Sequence, residues 1–165
     1  MAASPTVYPT PLEKVYEWVR TKPDFVYLRQ PRNGQYDNLT WRNVDDQMRR
    51  MASALLGLGL EKGDRVAILA KNCAEWFITD YAIQLAGLIS VPLYPAQNAD
   101  SVEYVLKHSD CKAIVIGKLD DAAGMEPGIP EHVIRIAMPY DTGMKRIDHK
   151  WKDLLAANQP YAESP

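Results

Sequence analysis

Residues 63–95 read GDRVAILAKNCAEWFITDYAIQLAGLISVPLYP, in which two short apolar runs flank a long apolar segment. The runs at residues 65–69 and 90–94 have the length and β-branched content of buried strands. After the first run, Asn72 and Glu75 have the spacing of a capping box, which predicts that a helix begins there. Strand, helix and strand together predict a βαβ unit with a right-handed connection.

The predicted helix over residues 73–89 carries apolar side chains around almost its whole circumference. They are Trp76, Phe77, Ile78, Tyr81, Ile83, Leu85, Leu88 and Ile89. A helix without a polar face has to be covered on several sides. We therefore expect it to be buried, and to require more cover than the rest of the chain readily provides.

The whole pattern predicts an α/β fold, with a mainly parallel sheet, helices on both faces and a small antiparallel hairpin in front. Sheet strands are expected at residues 65–69, 90–94, 112–116 and 133–137. The hairpin strands are expected at residues 25–28 and 36–40, with Asn33-Gly34 in the turn at 30–34. Helices are expected at residues 12–21, 40–58, 98–108, 118–123 and 151–157, and residues 1–11 are expected to be extended.

The helix after Thr40, its expected N-cap, has one apolar and one charged face. Val44, Met48, Met51 and Leu55 share the apolar face. The charged residues are Arg42, Asp45, Asp46, Arg49 and Arg50, and they predict a solvated surface. Gly59 is expected to end the helix in the left-handed conformation.

Composition and charge exclude several classes of protein. The 165 residues are 47% apolar and 24% charged, as in one ordinary globular domain. A net charge of −2 gives no basic excess for nucleic acid or an anionic membrane. The longest apolar stretch, residues 82–94, is too short to cross a bilayer.

The cysteines and the N-terminus predict a cytoplasmic protein. Cys73 and Cys111 lie in apolar contexts and outside any CxxC motif, which favours buried free thiols over a disulfide. The initial MAASPTVYPT has neither the basic nor the apolar region of a secretory signal.

No stretch of the sequence has the pattern of a catalytic, cofactor-binding or metal site. The expected strand ends, at residues 70–72, 95–98, 117–120 and 138–140, contain no glycine-rich phosphate loop. Residues 56–63, LGLGLEKG, precede a strand instead of following one, unlike a dinucleotide fingerprint. His108, His132 and His149 are scattered, and Asp120-Asp121 is read as acids at a helix N-terminus.

Several segments nevertheless resemble adenylate-forming enzymes. They are Leu39–Val44, Leu58–Ile68, Asn72–Trp76, Ala86–Pro95 and Glu103–Val115, and the run Ile116–Asp120 resembles the long-chain branch. The resemblance covers Leu12–Leu155 through the order and spacing of these segments. The chain is therefore similar to the N-terminal part of a long-chain fatty-acid–CoA ligase.

This resemblance implies ATP, Mg²⁺, coenzyme A and a fatty acid for a whole enzyme, and none of them for residues 1–165 alone. The family's phosphate loop, ribose motif and C-terminal catalytic lysine have no counterpart here, so no site residue is carried over. The chain is expected to be one N-terminal subdomain of a larger ligase and inactive alone. Two alternatives stay open: a stand-alone α/β module that binds a small molecule or regulates, and self-association through exposed apolar surface.

Overall fold

A computed structural model describes residues 8–162. The helices are α1 (Pro11–Thr21), α2 (Trp41–Gly57), α3 (Ala74–Leu85), α4 (Ala99–His108), α5 (Ala122–Met125) and α6 (Trp151–Ala157), with a 3₁₀ turn at Glu126–Gly128. The strands are β1 (Val26–Arg32), β2 (Gln35–Thr40), β3 (Arg65–Leu69), β4 (Ile89–Leu93), β5 (Cys111–Ile116), β6 (Ile134–Ala137) and β7 (His149–Lys150).

The predicted fold class is confirmed. Strands β1 and β2 form an antiparallel hairpin, and the other five form a parallel sheet in the order β4-β3-β5-β6-β7. The two residues of β7 were missed, because so short a strand between a loop and a helix leaves no periodic pattern. His149, expected to be a surface histidine, lies partly buried in β7.

Helices cover both faces of the sheet, as predicted. On one face, Val66 and Ile68 of β3 share a core with residues of α1, α2, α3 and α6. On the other face, Ala67 and Leu69 pack with residues of α4 and α5. The alternation along β3 places neighbouring side chains in opposite cores, as expected for a central strand of a covered sheet.

Helix α3 is better covered than its sequence predicts. It packs chiefly against α2, and Ile78, Ala82 and Ile83 are fully buried in the shared core. Phe77 is 36% exposed and marks the less covered side of the helix. The expectation that the chain lacks cover for this helix is therefore wrong for most of its circumference.

The start of α3 differs from the predicted capping box. Its N-cap is Cys73, which makes no side-chain capping bond, and Asn72 is exposed. Glu75 is buried and turns to Arg32 and Tyr140 instead of reaching back to the N-cap. The ion pair of Glu75 with Arg32, which is far away in sequence, thus forms in place of the predicted capping box.

The predicted solvated face of α2 is partly wrong. Thr40 does cap this helix, and Gly59 has φ +90° beyond its end. However, Arg49 Nη1 donates to the carbonyl of Tyr161, and Arg50 Nη1 donates to that of Asn158, both at 2.8 Å. The segment after α6 therefore crosses this face and covers part of it.

The remaining differences concern element boundaries. Strand β1 continues through Arg32, so the hairpin turn shrinks to Asn33 and Gly34, which have φ +50° and +79°. The helical turn predicted at residues 118–123 is observed later in the chain, as α5 at Ala122–Met125. Of the predicted extended segment, residues 1–7 lie outside the described range, residues 8–10 form no regular element and Pro11 begins α1.

Candidate functional site

The carboxyl ends of the central strands are joined by backbone hydrogen bonds. The amide of Gly117 donates to the Leu69 carbonyl at 3.0 Å, and the amide of Met138 donates to the Ile116 carbonyl at 2.8 Å. One residue beyond Gly117, Lys118 accepts from the amide of Lys71 at 2.9 Å. Three segments that are distant in sequence thus form one edge, where ligands of open α/β sheets bind.

Two clefts open along this edge. The first, of about 780 Å³, lies between the β1–β2 hairpin on one side and the 139–141 segment with α6 on the other. The second, of about 830 Å³, lies between the start of α3 and the loop after β4, with Trp76 and Tyr94 among its lining residues. Lys118 lines both clefts, and its ammonium group donates to no acceptor and pairs with no carboxylate within residues 8–162.

The first cleft contains a cluster of charged and aromatic groups around Glu75, whose side chain is 7% exposed. Arg32 Nη2 donates to Glu75 Oε1, and the Tyr140 hydroxyl donates to Glu75 Oε2 at 2.9 Å. The guanidinium of Arg32 also lies 4.9 Å from the centre of the Tyr140 ring and pairs with Asp37 at 2.8 Å. A buried carboxylate is thereby paired and hydrogen-bonded on both oxygens, as burial of a charge requires.

This environment changes the acidity of two neighbouring groups. Burial, the negative charge of Glu75 and a hydrogen bond to it raise the pKa of Tyr140 far above its ordinary value. Burial also raises the pKa of the Cys73 thiol. Both groups therefore stay protonated at neutral pH, so Tyr140 acts as a donor and Cys73 is a poor nucleophile.

The structure does not bring together the histidines and aspartates that the sequence offered as candidate site residues. His108 stacks on Tyr104 at 5.5 Å, while His132 is exposed and His149 lies in β7. Asp120 pairs with Lys71, and Asp121 caps α5 by accepting from the amide of Gly124 at 2.9 Å. Within residues 8–162, no group of three or more His, Cys, Asp or Glu side chains is placed to hold a metal ion.

Both cysteines are free and buried, as predicted. The Glu75 cluster, in contrast, was not predicted from the sequence. Its members come from a hairpin, a helix and the end of a strand, and no spacing along the chain links them. The signal was Glu75 itself, one of two carboxylates in a mainly apolar helix, because a buried carboxylate calls for a partner.

Comparison with known proteins assigns the family. Residues 15–163 match the model of a family described as "AMP-binding enzyme". The chain belongs to this AMP-binding enzyme family. Its sheet, hairpin and carboxyl edge are therefore part of the family's scaffold.

Two curated relatives match the chain over very different shares of their own length. The long-chain-fatty-acid–CoA ligase FadD15 of Mycobacterium bovis is 33% identical over 111 residues, which are 67% of this chain and 18% of the ligase. Uncharacterized protein Rv1549 of Mycobacterium tuberculosis is 32% identical over 113 residues, which are 68% of this chain and 63% of that protein. The matched part of the chain thus corresponds to less than a fifth of FadD15 and to 63% of Rv1549.

A solved structure shows the same fold in a CoA ligase. The anthranilate CoA ligase AuaEII, in complex with anthranoyl-AMP, matches with a TM-score of 0.78 and 18% identity. The match covers 97% of this chain and 30% of the ligase chain. The chain therefore has the same fold as part of that ligase.

The described residues do not fit the ATP and Mg²⁺ that the family implies. The amides of Lys71, Gly117 and Met138 are all used within the carboxyl edge, so they form no cradle of free donors for phosphates. The carboxylates of Asp120 and Glu75 are paired with cations. These residues therefore support no chemical step on the nucleotide.

Proposed function

We propose that residues 1–165 act as the N-terminal subdomain of an ATP-dependent fatty-acid–CoA ligase. The match of residues 15–163 to the AMP-binding enzyme family carries this proposal. The 33% identity to a long-chain-fatty-acid–CoA ligase, of which the chain spans 18%, supports it. The role of the subdomain would be to supply a packed sheet whose carboxyl edge adjoins the reaction site.

The reaction of the whole enzyme would proceed in two steps. A fatty-acid carboxylate attacks ATP, which forms an acyl-adenylate and releases pyrophosphate. The thiol of coenzyme A then attacks the acyl carbon, and AMP leaves. Mg²⁺ would accompany the nucleotide and neutralise phosphate charge. We infer that residues 1–165 alone do not catalyse either step, since their carboxyl edge offers no cradle for phosphates.

A chimera tests the proposed role. The segment of FadD15 that aligns with this chain would be replaced by the corresponding residues of the chain, and fatty-acid-dependent exchange between ATP and pyrophosphate would be measured. We expect the chimera to retain exchange, because the replaced scaffold has the same fold. A matched chimera with Ile83→Asp, which charges the core behind α3, should lose it. A chimera that unfolds cooperatively but shows no exchange would contradict the proposed role.

A stand-alone binding or regulatory module is the second candidate. The 63% coverage of Rv1549 favours it, because that relative is not much longer than the chain itself. The two clefts at the carboxyl edge offer a place for a small ligand. Titration calorimetry of the chain with AMP, and separately with a fatty acid, tests this candidate. Saturable binding at one site would favour the module over a scaffold that needs the rest of a ligase.

Self-association is also proposed, through the edge of the sheet at β4. Ile89 is 51% exposed on this edge strand, and Tyr94, just beyond its end, is 71% exposed. Apolar groups on an open edge favour contact between copies. Light scattering coupled to size-exclusion chromatography should show a mass above that of one chain, and Ile89→Lys should reduce it.

The cellular location stays a prediction. Within residues 8–162, no helix has the length and apolar character needed to cross a membrane. The buried free thiols of Cys73 and Cys111 are compatible with the reducing compartment expected from the sequence.

A further inference from the structure

One buried carboxylate joins the two walls of the first cleft. The hairpin wall consists of Pro31, Arg32, Asn33, Asp37 and Leu39, and the opposite wall consists of Pro139, Tyr140, Asp141, Trp151, Lys152 and Leu155. Glu75 Oε1 accepts from Arg32 in the hairpin wall. Glu75 Oε2 accepts from Tyr140 in the opposite wall at 2.9 Å. Each oxygen of a single side chain therefore holds one wall.

The hairpin is anchored firmly at its base and lightly at its tip. At the base, the Tyr27 ring stacks on Trp41 with centroids 3.7 Å apart, and its hydroxyl lies 2.8 Å from that of Tyr81. In the middle, Gln30 Oε1 accepts from the amide of Ala74 at 2.9 Å. Beyond that point, residues 33–38 are exposed.

Arg32 provides the side-chain contacts that tie the tip to the rest of the chain. Within residues 8–162, Arg32 makes two such contacts, an ion pair with Glu75 and a contact with the Tyr140 ring. Its further ion pair, with Asp37, stays inside the hairpin. The tip therefore has one charged attachment, and that attachment depends on the carboxylate of Glu75.

We propose that Glu75 is a latch that fixes the hairpin tip against the 139–141 segment and thereby sets the width of the first cleft. Charge-assisted hydrogen bonds are shorter and stronger than neutral ones, so an ionised Glu75 keeps the cleft narrow. When substitution removes the charge of Glu75, Arg32 retains Asp37 as a partner. The hairpin tip then moves away from the 139–141 segment, while the stack of Tyr27 on Trp41 holds the base of the hairpin in place. The latch goes beyond the proposed ligase role, because it concerns the chain whether or not it serves an enzyme.

Spin labels across the cleft test the latch. Gln35→Cys in the hairpin and Ala156→Cys on α6 are both exposed and lie outside the latch, whereas the native thiols are at most 5% exposed. Pulsed electron–electron double resonance would give the distribution of distances between the two spin labels. We expect Glu75→Gln to shift this distribution to longer distances and to broaden it, and Arg32→Gln to reproduce the change.

Asp37→Asn is the matched control, because it removes the other ion pair of Arg32 and leaves Glu75 in place. Its distance distribution should overlay that of the parent protein. If Glu75→Gln fails to fold, Arg32→Gln decides the matter, since the Arg32 side chain is 26% exposed and tolerates replacement better. A parent-like distribution in the folded variants would overturn the proposal, as would an equal change in Asp37→Asn.

Discussion

Gly117 and Met138 pack so closely that a Cβ atom added to Gly117 would lie 2.5 Å from the sulfur of Met138. The same atom would lie 2.7 Å from the Cβ of Ala70. The ends of β3, β5 and β6 therefore meet around a residue that has no side chain. The carboxyl edge, with its two clefts, depends on this close approach.

Gly117→Ala should destabilise the protein by about 1–3 kcal/mol, the usual cost of overpacking a filled site. The sulfur of Met138 can move aside, but the Cβ of Ala70 is fixed to the backbone. Urea unfolding monitored by tryptophan fluorescence measures the change. Gly57→Ala is the control, since its nearest new neighbour would be 3.9 Å away. Equal midpoints for Gly117→Ala and the parent would contradict the close packing.

Leu85→Asp should destabilise the protein by several kcal/mol, roughly 3–5, because it places an unpaired charge in the core between α3 and its neighbours. Phe77→Asp changes the same helix at a side chain that is 36% exposed, and it should cost clearly less. The comparison uses the midpoints of urea unfolding. Similar losses for the two variants would show that α3 is not buried on the side described.

Arg49→Gln should release the segment that follows α6. This substitution removes the 2.8 Å bond from Arg49 to the Tyr161 carbonyl, while the Tyr161 amide donates to the Arg49 backbone at 3.1 Å. Hydrogen exchange at the Tyr161 amide should therefore become faster. Arg42→Gln, which loses only the exposed pair with Asp24, is the control and should leave that amide unchanged. An exchange rate at the Tyr161 amide that Arg49→Gln leaves unchanged would contradict the attachment.

Glu126 should stabilise the fold less in acid than at neutral pH. Partial burial acts to raise its pKa, but the amides of Lys145 and Arg146 and the charge of Arg135 outweigh burial and lower the pKa. A carboxylate whose pKa is lower in the folded state stabilises the protein at a pH above its pKa in the unfolded chain, which is about 4.3. This stabilisation is lost as the pH falls through the pKa of the folded state.

Glu126→Gln separates this contribution from the rest of the protein. The difference in unfolding free energy between the parent and the variant should be largest near neutral pH and should shrink toward about pH 3. Glu131→Gln, an exposed neighbour in the same region, should show little difference at any pH. A parent–variant difference that does not vary with pH would exclude Glu126 as the titrating group.

The elements that could be predicted are those whose residues are neighbours in sequence. β3 and β5 follow from short apolar runs, and the cap at Thr40 follows from a side chain close to the amide that it binds. The resemblance of ordered segments also led to the correct family. Here local chemistry and the final fold agree.

The features that could not be predicted depend on contacts between distant residues. Glu75 has the spacing of a capping partner, yet Arg32, 43 residues away, takes its carboxylate. The charges of α2 have the pattern of a solvated face, yet Tyr161, 112 residues from Arg49, lies across it. In both cases a long-range partner for a charge outweighs the weaker preference of the local pattern.

ATP–pyrophosphate exchange by the purified 165-residue chain, with Mg²⁺ and a long-chain fatty acid, tests most directly whether the chain is a subdomain that is inactive alone. FadD15, assayed alongside, controls for the reagents. We expect the chain alone to give no fatty-acid-dependent exchange above the protein-free blank, since the described carboxyl edge has no cradle for phosphates. Robust exchange that requires the fatty acid and disappears on Ile83→Asp unfolding would contradict it.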